Sequence, residues 1–244
     1  KYIAPAYMIQ FSKTEEALGK EDYKQVSKAE YKYKYFIEDE DKELIEQIKK
    51  VELDILRKFQ EVCNKHGIKW FLMYGSILGA VRYGGVLKGD DDIDVALPRA
   101  DYDKLMSVAE EEFKENYFMQ TPYNDNCFFG GYAKLRRRDT TALDPVNWWV
   151  DCCEGIGIDI FPLDYGYSNV NKQKKKEKKI CFYQRLLYAK AYGYYPDFKD
   201  MKLLKWKTYK YIGKMFTREQ LARKLETELK AGKGRKSPFG IFAH

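Results

Sequence analysis

The sequence predicts an α+β fold, in which a mixed sheet is flanked by helices and followed by a helical C-terminal part. Three observations predict it. Apolar residues recur at helical spacing over 40–66. Short apolar runs at 70–74, 93–97 and 156–161 have the length of strands, and the first two are followed by stretches of helical pattern. From Asn169 the composition turns basic, with six lysines in the eight residues 172–179, followed by Tyr and Leu at helical spacing.

The elements follow in order. Residues 1–36 are polar and Tyr-rich, ending in Tyr31, Tyr33, Tyr35 and Phe36, and read as an arm with weak regular structure. Segment 1–38 is therefore set apart as an N-terminal extension. In 40–66, Leu44, Ile48, Val51, Ile55, Phe59 and Val62 make one apolar face. Asp39 is placed to cap its start, His66 to serve as a C-terminal cap, and Gly67 to end it. Gly75-Ser76 breaks the strand at 70–74, and a short helix over 77–82 stops at Gly84-Gly85. After the strand at 93–97, Pro98 opens a helix over 99–114, because proline suits the first helical turn. Further on, 132–137 reads as a strand, Asp139-Thr140-Thr141 as a turn, and 156–161 as a strand closed by Pro162. Residues 200–231 read as two helices, with Thr217 and Gln220 as a capping box. The chain thus divides into a core over 39–168 and a basic helical part over 169–244.

The 244 residues are 45% apolar, enough for one large domain or a domain with an appendage. Lys and Arg number 44 against 37 acidic residues, a net charge of +7. That balance favours anionic partners: nucleotides, phosphorylated polymers, nucleic acid or an acidic lipid surface. Five cysteines without framework spacing point to a reducing compartment. No apolar run reaches the roughly 18 residues of a membrane span, and no signal-peptide pattern is visible.

The chemistry concentrates in 74–97, YGSILGAVRYGGVLKGDDDIDVAL. Asp90, Asp91, Asp92 and Asp94 crowd five positions, where like charges repel unless a cation neutralises them. Alternate residues of a strand share a face, so Asp92 and Asp94 point together while Ile93 and Val95 enter the core. Two neighbouring carboxylates suit a hard divalent cation such as Mg2+ or Mn2+. Gly75-Ser76, between a strand and a helix, offers backbone N–H groups and the positive end of a helix dipole to a phosphate. Asp159 lies between Ile158 and Ile160; a carboxylate in apolar surroundings is costly unless paired or metal-bound. If its strand lies beside that of Asp92 and Asp94, three carboxylates converge. A strand, Gly-Ser, a helix, then Asp-x-Asp on the next strand is the layout of the nucleotidyltransferase fold of polymerase-beta-like enzymes.

The wording of three segments in order, YGSILGAVRYGG, DDDIDVALPRADYDKL and GIGIDIFPLD, closely resembles the LicD family, over about 51–164. That family includes bacterial phosphorylcholine transferases and the related fukutin proteins. The resemblance implies transfer of a phospho-alcohol, most commonly phosphocholine, from a CDP-linked donor such as CDP-choline or CDP-ribitol to a hydroxyl of a glycan or polyol-phosphate acceptor, with CMP leaving. It implies that Asp92 and Asp94 hold the metal against the diphosphate, and that Asp159 completes the metal site or takes the acceptor's proton. Gly75 and Ser76 would contact phosphate, with Arg82, Lys134 and Arg136 as further phosphate-binding candidates. The expected location is the cytoplasm, with peripheral contact at the inner membrane face as a further candidate. Two departures stand out. Lys88-Gly89 replaces the Pro-Trp pair common before the aspartates, and the chain ends at His244 where family members usually continue, so the helical part is expected to be incomplete.

Blander readings stand beside these. Cys127, Cys152 and Cys153 are candidate zinc ligands, but vicinal spacing without a fourth ligand favours packing or a reduced pair. Trp148 and Trp149 suit a quaternary ammonium, although core or lid packing is the commoner use. The lysine run 172–179 suits an anionic polymer, a membrane surface or plain solvent. No specific nucleic-acid motif is present. The rival functions are a nucleotidyltransferase using a nucleoside triphosphate, and a non-catalytic glycan- or nucleic-acid-binding module on the same fold.

Overall fold

A computed structural model describes residues 8–9, 39–87, 90, 92–143, 152–191 and 203–232. The readings for most of 1–38, for Lys88-Gly89 and for Trp148-Trp149 lie outside the described residues. Met8–Ile9 form a short strand, β1. Helix α1, Asp39–His66, ends at Gly67, whose φ of 61° a glycine adopts without strain. His66 lies in the last turn of α1, and its side chain reaches across to Glu112 at 2.8 Å.

The next segment corrects the sequence reading. Strand β2 is only Phe71–Leu72, and helix α2 already begins at Tyr74, running Tyr74–Tyr83. Gly75 and Ser76 therefore lie in its first turn rather than in a strand-breaking turn. Tyr74 starts the helix with φ 45°, a left-handed conformation costly for a residue with a Cβ. Gly84 closes α2 in the left-handed conformation, its N–H donating to the Ala80 carbonyl. Strand β3 is Asp94–Pro98 and helix α3 is Arg99–Phe113, with Pro98 at its N-cap.

Strand β4, Tyr117–Gln120, was not foreseen, because its four residues carry no clear alternation. Then come β5, Ala133–Arg137; β6, Ala142–Leu143; and β7, Gly157–Leu163. Pro162 does not close β7 but lies within it. Asp159 donates its N–H to Ile93 next to β3, so alternation turns the nitrogen of Pro162 toward β5. The β5 ladder has already ended at the Ala133–Ile160 pair, so no hydrogen bond is lost there. Helices α4, Val170–Ala191, α5, Leu203–Lys214, and α6, Arg218–Lys230, complete the fold. The capping box holds as read: Gln220 N–H donates to Thr217 Oγ1 at 3.1 Å, and Thr217 N–H to Gln220 Oε1 at 2.9 Å.

Strand order in the five-stranded sheet is β2-β3-β7-β5-β4, with β3 and β7 parallel and the other neighbours antiparallel. This mixed sheet flanked by helices is the α+β architecture expected. The strand period of two sorts its side chains. Ile93, Val95, Leu97, Leu135, Ile158 and Ile160 enter one core with Ile55 and Phe59 of α1 and Leu105 and Phe113 of α3. The opposite face carries Asp94, Asp159, Lys134 and Arg136. A second cluster joins the last three helices through Ile180, Leu187, Trp206, Leu221 and Leu225.

Two buried polar devices reinforce this arrangement. Arg99, at the start of α3, grips both oxygens of Asp164 just after β7, with Nε to Oδ1 at 2.7 Å. Lys176 is 2% exposed and donates to the Tyr165 carbonyl at 2.9 Å and the Leu229 carbonyl at 2.8 Å, binding α4 to α6 and to the chain leaving the sheet. The lysine run 172–179 is thus not uniformly a solvent face. One of its members is structural, and Lys179 pairs with Glu228 at 2.8 Å.

Candidate active site

The site forms where two parallel strands begin. Asp94 and Asp159 are register partners on β3 and β7, and Lys134 on β5 is the register partner of Asp159 from the other side. Asp92 precedes β3 by two residues. One oxygen from each of Asp92, Asp94 and Asp159 lies within 4.8 Å of the others. Apolar alternation drives this convergence: with Ile93, Val95, Ile158 and Ile160 packed inward, the intervening carboxylates are committed to the other face.

Such crowding is electrostatically expensive. Burial pushes the Asp94 carboxyl up to about 8, and the charges of Asp92, Asp159 and Asp90 add to the rise, while Lys134 opposes it. Lys134 Nζ makes a 2.7 Å ion pair with Asp159 Oδ1, one cation against several carboxylates. Three hard oxygen donors beside so small an opposing charge fit a divalent cation of the Mg2+ or Mn2+ type.

Helix α2 frames the site from the β3 side. Ser76 is buried, and its Oγ accepts the Asp94 N–H at 2.8 Å, so its hydroxyl fixes the strand that carries the aspartate. Met73 N–H donates to the Asp94 carbonyl at 2.9 Å, a second tie at the same residue. Gly75 lies so close to Asp90 that a Cβ there would displace the Asp90 carboxylate. Asp90 thus lies against the first turn of α2, the helix end where a phosphate was expected. Lys49 of α1 reaches the Leu87 carbonyl at 3.4 Å and supports the loop that presents Asp90.

The remaining candidates separate. Arg82 is exposed in the last turn of α2, about 9 Å along the helix axis from Ser76. Arg136 shares the β5 face with Lys134, but its guanidinium is held by Gln120 Oε1 at 2.6 Å and the Gly155 carbonyl at 2.5 Å.

Sequence reasoning missed an aromatic wall. Tyr74 packs edge-on against Phe161 at 5.8 Å, and Phe161 stacks on Tyr132 at 4.7 Å. Lys134 lies over the Tyr132 ring at 6.0 Å. Burial, then the charge of Asp94, push the Tyr74 phenol up to about 12, so it stays protonated. The period of two could have found Phe161, two residues beyond Asp159.

Asp125, Cys127 and Cys152 form a second convergence, with ligand atoms within 4.8 Å. Here the carboxylate is already served. Oδ1 accepts from Cys127 N–H at 2.9 Å and from its thiol at 3.1 Å, and Oδ2 accepts from Gln120 and from Cys153 N–H, both at 2.9 Å. These bonds hold the Asp125 carboxyl below the usual range although burial opposes them. None of these cysteines is joined in a disulfide among the described residues.

The family model described as "LicD/FKTN/FKRP, nucleotidyltransferase domain" matches residues 67–219, more than half of the chain. The chain belongs to the LicD family. The matched LicD segment contains α2, all three carboxylates, Lys134 and the aromatic wall. A curated relative, the lipopolysaccharide cholinephosphotransferase LicD of Haemophilus influenzae, is 38% identical over 69 residues, 28% of this chain and 26% of that protein. The alignment thus spans about a quarter of the relative's length. No solved structure gives a significant match.

Proposed function

We propose that this LicD-family protein transfers a phospho-alcohol, phosphocholine first among candidates, from a CDP-linked donor to a hydroxyl of a cell-surface glycan such as lipopolysaccharide. The observation that carries the reading is the convergence of Asp92, Asp94 and Asp159 within 4.8 Å on one sheet face, inside the matched family segment. The name of the Haemophilus relative supports the choice of group and acceptor.

In this reading, Asp92 and Asp94 hold a divalent cation, Mg2+ or Mn2+, and Asp159 stands as the third carboxylate. When bound, the cation neutralises charge on the donor's diphosphate. The acceptor oxygen attacks the phosphorus that bears the alcohol. A new P–O bond forms, the P–O–P anhydride breaks, and CMP leaves with the electron pair. Asp159 accepts the hydroxyl proton. Lys134 offers its ammonium to the transferring phosphate, and its ion pair with Asp159 keeps it in reach. Ser76 holds the backbone of Asp94 in place, so the carboxylate does not have to be ordered at each turnover. Phosphoryl transfer relies on such positioning and charge neutralisation more than on covalent chemistry.

The nucleotidyltransferase description of the family model favours one rival, attack at the α-phosphorus of a nucleoside triphosphate with loss of pyrophosphate. Product analysis decides between them. Incubation with CDP-choline, Mg2+ and a glycan acceptor is expected to release CMP, and CTP or ATP is expected to yield no pyrophosphate. The reverse pattern assigns nucleotidyl transfer.

A further inference from the structure

Helix α5 has an unusual outer side. Trp206, Tyr209 and Gly213 face inward: Trp206 packs edge-on against Tyr188 at 5.8 Å, Tyr209 lies 5.8 Å from Phe182, and Gly213 approaches the Leu186 carbonyl. At about 100° per residue, the direction opposite this buried face belongs to Leu204, Tyr211 and, just past the helix end, Met215. These three are 77%, 73% and 70% exposed, among the most exposed large apolar side chains of the described residues. Lys205, Lys207, Lys210 and Lys214 flank the ridge and are all exposed. No Asp or Glu occurs between Leu203 and Phe216.

We propose that α5 is an interfacial helix that seats the protein on an anionic lipid bilayer. An apolar ridge with lysines on its flanks matches the boundary between headgroups and acyl chains. The large apolar residues enter the acyl edge, and the lysine stems extend so that the ammonium groups remain among anionic headgroups. The absence of carboxylates over the whole helix is the charge complement such a surface requires. A soluble polyanion would use the lysines but gain nothing from Leu204, Tyr211 and Met215. No helix among the described residues is long and apolar enough to cross a membrane, so the contact made by α5 is peripheral. The inference rests on α5 alone and not on the transfer reaction.

The test is sedimentation of the full chain with vesicles of phosphatidylcholine, with and without phosphatidylglycerol, at low and high salt. Binding is expected only to the anionic vesicles and is expected to weaken with salt. Each lysine changed to Gln is expected to weaken it about fivefold, at about 1 kcal/mol per charge. Tyr211→Ser with Met215→Ser is expected to weaken vesicle binding at least about tenfold while leaving binding to heparin, a soluble polyanion, unchanged. Circular dichroism and the melting temperature of each variant exclude unfolding as the cause. The proposal is overturned if the wild type ignores anionic vesicles. It is equally overturned if the apolar pair is dispensable, which would make α5 a polyanion surface. Loss of binding on Ile77→Ser with Val81→Ser, two exposed residues of α2, with the α5 variants unaffected, would move the docking surface to α2 and overturn the assignment.

Discussion

Asp94 carries a large electrostatic cost among the carboxylates of the site. Without a cation its carboxyl is pushed up to about 8, whereas an unfolded aspartate titrates near 3.9. Between those values the folded state holds a proton that the unfolded chain releases, so stability of the metal-free protein falls as pH rises through that window. Asp94→Asn removes the ionisation. In EDTA it is expected to flatten this slope and to raise the melting temperature at pH 8 by at least about 2 °C, while abolishing transfer. Thermal melts across pH check the first part, and a mutant less stable than wild type at pH 8 contradicts it. Gly75 supplies a second prediction. Gly75→Ala is expected to push the Asp90 carboxylate aside at a cost of at most about 1 kcal/mol, and Asp90→Ala is expected to remove that cost. Denaturant titration of both single variants and the double variant reads the coupling, and additive losses would mean that the two residues do not meet. Lys134→Gln leaves Asp159 without its 2.7 Å partner. Tighter Mg2+ binding with slower transfer is expected, since the competing cation is gone but the phosphate loses its ammonium.

The elements were legible where their pattern was long. Helix α1 shows its apolar face over about five turns, from Leu44 to Val62, and Thr217 with Gln220 announced the start of α6. Thr217→Ala is expected to lower stability by about 1 kcal/mol, read as a shift in denaturant midpoint. Short elements hid. Strand β4 gave no alternation, and β2 shrank to Phe71–Leu72 because α2 begins at Tyr74, a residue no propensity places at φ 45°. Pro162 read as a terminator because its place beside the already ended β5 is a tertiary fact. In the site, the shared face of the carboxylates was legible from the period of two. The pairing of Lys134 with Asp159 was not, because register across β5 and β7 is not written in either strand alone. Arg136 looked equivalent to Lys134 by that same period, yet Gln120 and Gly155 engage its guanidinium.

The molecule joins two apolar clusters, one beneath the sheet and one among α4, α5 and α6. Few polar groups bind them, and Lys176 is the most buried. Lys176→Met leaves the Tyr165 and Leu229 carbonyls without their donor and is expected to cost about 1–3 kcal/mol. Hydrogen exchange is expected to show the loss in α4 and α6 before the sheet, and uniform loosening would contradict that view of the joint. The sheet gathers its carboxylates on the face opposite the first cluster. The most direct measurement of the central claim is CMP release from CDP-choline in the presence of a glycan acceptor, with Mg2+ or EDTA, by the wild type and by Asp92→Asn and Asp94→Asn. The account predicts Mg2+-dependent release by the wild type and a loss of at least about a thousandfold in each variant, as expected for removing charge stabilisation at the reacting centre. Equal release in EDTA, or turnover that survives either substitution, would contradict it.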